Sequence, residues 1–449
     1  MAQRDTRGAA APAGLAGAVI VVFNLPVPDD HRVWAQARTL HEAGLRVSVV
    51  CPAIRGAAPG RRRIDGIEIH CFRSFEGEGK AATMLEGAWT TLVAARAAKR
   101  ALARIDGPRA VQVCNPPDLS FGLLRWARRR GVRTVYDQHD VVPLLAAARP
   151  PFSRLAAFFL GCERRTVEAA DAVLTPSEEQ AARLHALYGR DAVVVRTAAV
   201  AEGAPSVALD GAPDSAELDG ADLSSADPDS VGLGSAGSDS AARDADGADA
   251  AVAGSAARSP AGVEPTVLGY LGVIGEQDGV VELVDAVQAL RAAGRTGFRV
   301  EIAGDGPALP SVRARVAELE LGDLVQLRGW VGRDEIDAFL KGIDAMLVPD
   351  PESEFNHHCA MNKVTHAMAR AIPVVLRPLR ENARLAGRDG IVAADMSLPA
   401  FVAAIERLLD APAAERAAIG ARLRAAFDAE LSWDASGQRY LSVFLAGRG

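Results

Sequence analysis

Met346–Leu376 reads MLVPDPESEFNHHCAMNKVTHAMARAIPVVL, and this stretch decides the class of fold. Met346–Val348 and Val374–Leu376 are short apolar runs beside Pro349 and Pro373, the signature of buried strands. Between them a polar loop hands over to a short helical pattern that opens at Asn362. Strand, loop, helix and strand make the unit of a parallel sheet with helical crossovers. Asn362 and Lys363 stand at the helix start, where unpaired N–H groups and the positive dipole end favour an anion. A lysine there suits a phosphorylated ligand.

Outward from this stretch the same unit recurs. Apolar β-rich runs at Val19–Phe23, Val47–Cys51, Ile67–Phe72, Ala110–Cys114, Thr134–Tyr136, Ala172–Leu174 and Val193–Val195 predict strands. Amphipathic helices such as Arg32–Ala43, Ala81–Arg104 and Leu119–Arg130 alternate with them. Continuous apolar strands with helical crossovers imply an α/β domain whose parallel sheet is covered on both faces. A second set of strands spans Val267–Tyr270, Arg299–Ala303, Leu324–Leu327, Ala345–Val348, Val374–Leu376 and Ile391–Ala393. Helices near Leu398–Leu409, Ala413–Ala429 and Trp433–Ala446 follow, the last of which either closes that domain or packs back on the first.

The expected organisation is therefore a flexible tail at 1–15, a Rossmann-like domain at 16–200, a linker at 201–264 and a second Rossmann-like domain at 265–449. The linker is almost entirely Ala, Asp, Ser, Gly and Pro, with only Arg243 and Arg258 as basic residues, and cannot bury a core. Two doubly wound domains define a central cleft into which both sets of strand C-terminal ends point. At 449 residues and 49% apolar content the chain can fill two cores, and the formal charge of −7 excludes an overall basic footprint for nucleic acid. Five scattered cysteines with no CxxC pair read as ordinary thiols of a reducing cytoplasm, and the apolar start flows into a strand pattern, not an export signal.

Several strand-end loops carry unusual composition. NLPVPDDHRVW (Asn24–Trp34) ends in Asp30 and Arg32, and CNPPDLSFG (Cys114–Gly122) begins with Asn115 before two prolines. YDQHDVVP (Tyr136–Pro143) sets His139 between aspartates just past a strand, which reads as a proton carrier or hydrogen-bond donor, or else as a surface turn. In YLGVIGEQDGVVELVDA (Tyr270–Ala286), Gly272 and Gly275 bracket a strand-to-helix turn where backbone can approach a diphosphate. The GxGxxG fingerprint is absent, which disfavours a nicotinamide enzyme. Glu381 follows the next strand in LRENARLAG, at the expected cleft rim.

Taken in order, NLPVPDDHRVWAQARTLHEAGLRVSVVCP, CNPPDL, YDQHDVVP, YLGVIGEQDGV and MNKVTHAMARAIPVV resemble glycosyltransferase family 4, in its bacterial polysaccharide and glycoconjugate branch. The resemblance covers nearly the whole chain outside residues 1–15 and 201–264. It implies the GT-B fold, an acceptor domain followed by a nucleotide-sugar domain, and retaining, metal-independent transfer without a cofactor beyond the nucleoside diphosphate sugar. The implied acceptor is a glycan, a lipid-linked molecule or a small-molecule hydroxyl. It places Gly272, Gly275, Asn362, Lys363, His366 and Glu381 on the donor, His139 and Asp140 at the reacting sugar, and Asp30, Arg32 and Asn115 on the acceptor side.

Four positions depart from that pattern. His366 and Ala367 stand where the family has Glu and Tyr, Leu144 where it has Glu, and Thr197 where Asn is common. A neutral histidine accepts one hydroxyl hydrogen bond where a carboxylate accepts a bidentate pair. These departures keep open a catalytically impaired homologue that binds a glycan or a partner. Clustered His357, His358, Cys359 and His366 lack an established metal-ligand spacing, so no metal is expected. The basic stretches Val93–Arg104 and Arg125–Arg133 read either as solvated helix faces or as a peripheral contact with the inner face of a membrane.

Overall fold

The computed structural model describes residues 14–54, 58–74, 80–148, 152–197 and 264–445. Residues 1–13 of the expected tail, and the expected linker apart from Glu264, lie outside the described residues.

The apolar runs form two sheets. The first contains β1 (Gly17–Val21), β2 (Arg46–Ala53), β3 (Gly60–Ile64), β4 (Ile67–Arg73), β5 (Arg109–Cys114), β6 (Arg133–Asp137), β7 (Ala172–Thr175) and β8 (Val193–Val194), in the order β3-β4-β2-β1-β5-β6-β7-β8. The second contains β9 (Thr266–Leu271), β10 (Phe298–Ala303), β11 (Val325–Gly329), β12 (Ala345–Val348), β13 (Val374–Leu376) and β14 (Ile391–Val392), in the order β11-β10-β9-β12-β13-β14. All pairings are parallel except β3 with β4. Each strand order reverses beside its first strand, so each sheet has a switch point at which strand ends open a crevice.

The first lobe carries α1 (His31–Glu42), α2 (Lys80–Leu102), α3 (Phe121–Arg128), α4 (Val142–Ala148), α5 (Ala156–Ala169) and α6 (Glu178–Tyr188). The second carries α7 (Val280–Ala292), α8 (Leu309–Glu318), α9 (Arg333–Lys341), α10 (Glu354–His358), α11 (Asn362–Met368), α12 (Arg380–Ala386), α13 (Leu398–Asp410) and α14 (Ala413–Ala426). Local signals set several starts. Asp30 accepts from Val33 N, Ser177 from Gln180 N and Ser353 from Asn356 N, each satisfying a donor that the helix leaves unpaired.

The antiparallel edge strand β3 has no counterpart among the expected strands. Its sequence GRRRI looks like a polar loop, because an edge strand needs only alternate burial and here arginines fill the outward positions. The last helix, α15 (Trp433–Leu445), packs back on the first sheet. Trp433, Tyr440 and Phe444 share one face, their rings 6.4 and 5.1 Å apart in succession, and Trp433 Nε1 donates to Thr39 Oγ1 on α1 at 2.9 Å. Two apolar clusters sandwich each sheet, which accounts for strands that are apolar on both sides. Cys51 and Cys71, directly paired on β2 and β4, bring their Sγ atoms to 3.6 Å, a proximity no sequence spacing shows.

Candidate functional site

The strand ends of β5 and β6 carry a buried polar network centred on Asp137, the last residue of β6. Its carboxylate accepts from Arg32 Nη2 at 2.6 Å and Nε at 3.2 Å, Gln36 Nε2 at 2.6 Å, Gln112 Nε2 at 3.2 Å and His139 Nε2 at 3.1 Å. Arg32 also donates to Val195 O at 2.5 Å, and Tyr440 hydroxyl fixes Gln112 through its Oε1 at 2.7 Å. Burial pushes the Asp137 carboxyl up, but Arg32 and His139 outweigh it and hold it well below the usual carboxylate range. For His139, burial disfavours the charged ring, yet Asp137 raises it well above the ordinary histidine value. His139 is thus an imidazolium at neutral pH, a donor and a fixed positive charge.

Asn115 joins the two loops. Its Oδ1 accepts from His139 N at 2.6 Å and Asp140 N at 3.1 Å, and its Nδ2 donates to Asp140 O at 2.7 Å and Asp118 Oδ1 at 3.0 Å. Burial lifts the Asp118 carboxyl to about 7 against the hydrogen bond from Tyr136. Arg32 and Asn115 were expected to line the acceptor side; both are buried and spend their polar atoms inside this network. Asp30 is half-buried and caps α1.

In the second lobe, Lys363 lies beside the ends of β9 and β12. Its Nζ sits 2.8 Å from each Asp350 oxygen, 3.4 Å from Tyr270 hydroxyl and 4.0 Å from Asp278 Oδ1, with the Tyr270 ring centroid at 4.6 Å. Burial opposes the ammonium charge, but Asp350, Tyr270 and Asp278 raise its pKa above the ordinary value, so it stays protonated. Helix α11 has seven residues, too few for a substantial dipole. The positive charge at this spot is therefore the Lys363 side chain, while Asn362 is exposed beside it.

The glycine turns hold the loops in close contact. A Cβ at Gly304 would lie 1.8 Å from Gly272 O, so no other residue fits there without moving the two loops apart. The backbone N–H groups of the two expected diphosphate contacts are already used. Gly272 N donates to Ala303 O at 3.1 Å and Gly275 N to Asp278 Oδ2 at 3.0 Å. Neither glycine therefore presents an unused backbone N–H to a diphosphate.

Glu381 was expected on the donor and instead joins the lobes. It is fully buried, accepts from Arg196 Nη1 at 2.6 Å and Arg384 Nη2 at 2.7 Å, and receives Glu179 N at 3.3 Å. Arg380 adds Glu179 at 2.8 Å and Glu354 at 3.1 Å, and Ser177 Oγ donates to His358 O at 2.7 Å. These contacts seat α6 against α10 and α12 and bring the two sets of strand ends to one cleft. On the other side of α6, Gln180 Nε2 reaches His139 O at 3.5 Å, so one helix touches the His139 loop and α10 together.

His366 is half-buried on α11 with a buried Nδ1 that has no protein partner. Burial lowers its pKa from 6.5 to about 4, helped by Arg370 and by His31 at the start of α1. The ring is neutral above that value. A histidine kept neutral by folding favours the native state fully above its unfolded pKa, and loses that contribution as pH falls from 6.5 toward 4. We expect His366→Gln to flatten the decline of stability across this window, measured by chemical denaturation at both ends; equal declines would remove His366 as its source.

Among the described residues, His357, His358, Cys359 and His366 do not gather as metal ligands; Nδ1 of His358 meets Glu354 O at 2.6 Å, and Nδ1 of His357 accepts from Arg380 N at 3.2 Å. Among the described residues, the group with ligand-type atoms close together is Cys114, Asp137 and His139, where Arg32 already occupies the carboxylate. Gln36, Gln112, Asp350 and Tyr440 were not singled out from sequence. Asp350 had a usable signal, since it is a charged residue just past a buried strand; Tyr440 had none.

Two family models match the chain in succession: Glycosyltransferase Family 4 over residues 31–198 and Glycosyl transferases group 1 over residues 265–411. The chain belongs to glycosyltransferase family 4. Its fold is GT-B, as the two facing doubly wound lobes require. The family 4 chain is 30% identical over 149 residues to the 2-deoxystreptamine glucosyltransferase of Streptomyces kanamyceticus, and 29% identical over 150 residues to the alpha-D-kanosaminyltransferase of the same organism. Each match covers 33% of this chain and 37% of the relative. The sucrose-phosphate synthase structure from Thermosynechococcus elongatus superposes with a TM-score of 0.65 over 96% of this chain and 100% of that one, at 15% identity, a likeness of fold. No helix of the described residues is long and apolar enough to cross a membrane.

Proposed function

We propose that the chain moves a sugar from a nucleoside diphosphate sugar onto a hydroxyl of a glycan, a lipid-linked molecule or a small molecule. The observation that carries this reading is the buried Lys363 ammonium at the strand ends of the second lobe, with the His139 loop of the first lobe tied toward it through Gln180 and Ser177 on α6. Negative charge develops on the diphosphate as it leaves, and a preorganised ammonium stabilises it more in a buried site than in water. Lys363 would turn from Asp350 to the diphosphate, supplying charge from a side chain, in keeping with transfer that needs neither a metal nor a cofactor.

His139 then acts by its charge, since Nε2 already meets Asp137 and the buried carboxylate holds the ring protonated. On this reading Asp140, the next residue of the loop, takes the acceptor proton. His366 stands at the position that the resemblance gives to the donor, its buried Nδ1 without a hydrogen-bond partner. The 2-deoxystreptamine acceptor in the first relative's name supports a polyhydroxylated small molecule as one acceptor class. Free cysteines throughout the described residues fit a cytoplasmic setting.

A transfer assay with the anomeric configuration of the product read by NMR, with and without EDTA, tests this reading. Retention and indifference to EDTA are expected; inversion or loss of turnover with EDTA would overturn the mechanism. The second reading, an impaired homologue that binds a glycan or partner, is favoured by His366 and Leu144 and by the grip of Asp350 on Lys363. Donor binding without turnover on any acceptor would select it.

A further inference from the structure

Helices α2, α3 and α5 cover one face of the first sheet and carry an outward surface that neither half of the cleft uses. Leu85, Trp89 and Leu92 follow one another about a helical turn apart on α2 and are 65, 49 and 46% exposed. Phe158 and Leu160 near the start of α5 are 46 and 40% exposed. Five of the nine exposed large apolar side chains among the described residues thus share one layer, where scattered single exposures would be ordinary.

The other end of the layer is basic. Arg96, Lys99 and Arg100 occupy the last turns of α2, and Arg128–Arg130 end α3, against Glu86 and Glu168 as the outward acidic residues of the three helices. The whole chain carries −7, so this face runs against the overall charge. It is continuous: Lys99 and Arg130 lie 4.9 and 4.5 Å from the Trp126 ring, and Arg128 donates to Glu168 O at 3.1 Å. In a parallel sheet each crossover helix runs back along the strands, so the starts of α2 and α5 lie at the strand C-terminal edge. The apolar half therefore borders the cleft and the basic half lies away from it.

We propose that this face docks on an anionic phospholipid bilayer, its apolar half at the acyl boundary and its basic half on the headgroups. Aliphatic and tryptophan side chains beside arginine and lysine on one helix face match such an interface. A second copy fits poorly, because a two-fold contact would set the basic half against itself or against apolar surface. Docking stands without the transfer reaction. The consequence that the acceptor is lipid-linked rests on the function proposed above.

Cosedimentation of the full chain with vesicles of phosphatidylcholine plus phosphatidylglycerol, and of phosphatidylcholine alone, tests the proposal. Binding is expected to the anionic vesicles only and to weaken with salt. The triple variant Arg96→Gln, Lys99→Gln, Arg100→Gln should lose roughly a hundredfold in affinity. The triple variant Leu85→Ser, Trp89→Ser, Leu92→Ser should not bind, while both keep the wild-type circular dichroism melt and lipid-free binding of nucleotide-sugars. Failure of the wild type to bind would overturn the proposal. So would binding that neither variant reduces, or light scattering showing that the serine variant splits a dimer. Loss of nucleotide-sugar binding in the wild type would sink the transfer reading and leave the vesicle result untouched.

Discussion

Asp137→Asn is expected to destabilise the first lobe by about 3–5 kcal/mol, the cost of removing one partner from a buried ion pair. The substitution leaves the Arg32 guanidinium, 4% exposed, without its counter-charge, and removes the charge that holds His139 protonated. Thermal unfolding should fall by roughly 10 °C. The pH dependence has a definite sign. Because folding depresses the Asp137 pKa, its contribution is complete above the unfolded value of 3.8 and is lost as pH falls through the folded one. The variant should lack this acid-sensitive part. Its His139 should titrate near or below 6.5, which NMR reads directly and which loss of packing alone would not produce. An unchanged melt with an unchanged His139 titration would show that the network does not carry the lobe.

Lys363→Met should weaken nucleotide-sugar binding about a hundredfold or more, the effect of deleting charge-assisted hydrogen bonds to a phosphate in a buried site. Met also strands Asp350, 1% exposed, as an unpaired carboxylate, so the single variant loses stability as well as affinity. The double variant Lys363→Met with Asp350→Asn separates the effects. It should recover much of the stability while donor binding stays lost. Recovery of binding in the double variant would mean that Asp350, not the missing ammonium, limits the site.

The two sheets were legible because buried strands write themselves as runs of valine, isoleucine and leucine, such as Val47–Cys51 and Val374–Leu376. Strand β3 was not, since an edge strand can fill its outward positions with arginine. The loops of the site were legible because charged and glycine residues directly after a buried strand have little other reason to be there. What those residues do was less so. Arg32 and Glu381 look from sequence like ligand contacts, yet the structure spends them on Asp137 and on Arg196, partners 105 and 185 residues away. Tyr440 fixing Gln112 across 328 residues leaves no local trace at all. Pairings of this kind depend on how the lobes and the last helix pack, which no window of sequence contains.

His366 keeps its interest for the same reason. The helix and the family resemblance put it in the cleft, and the structure leaves its buried Nδ1 without a protein partner and its ring neutral. A neutral imidazole accepts one hydrogen bond from a ribose or sugar hydroxyl where a carboxylate accepts two.

Calorimetric titration of the wild type and of Lys363→Met with UDP-, GDP-, ADP- and TDP-sugars tests the central claim most directly. The account predicts saturable one-site binding of at least one of these donors to the wild type and its loss in the variant. No binding of any donor to the wild type, or equal binding to both proteins, would contradict it.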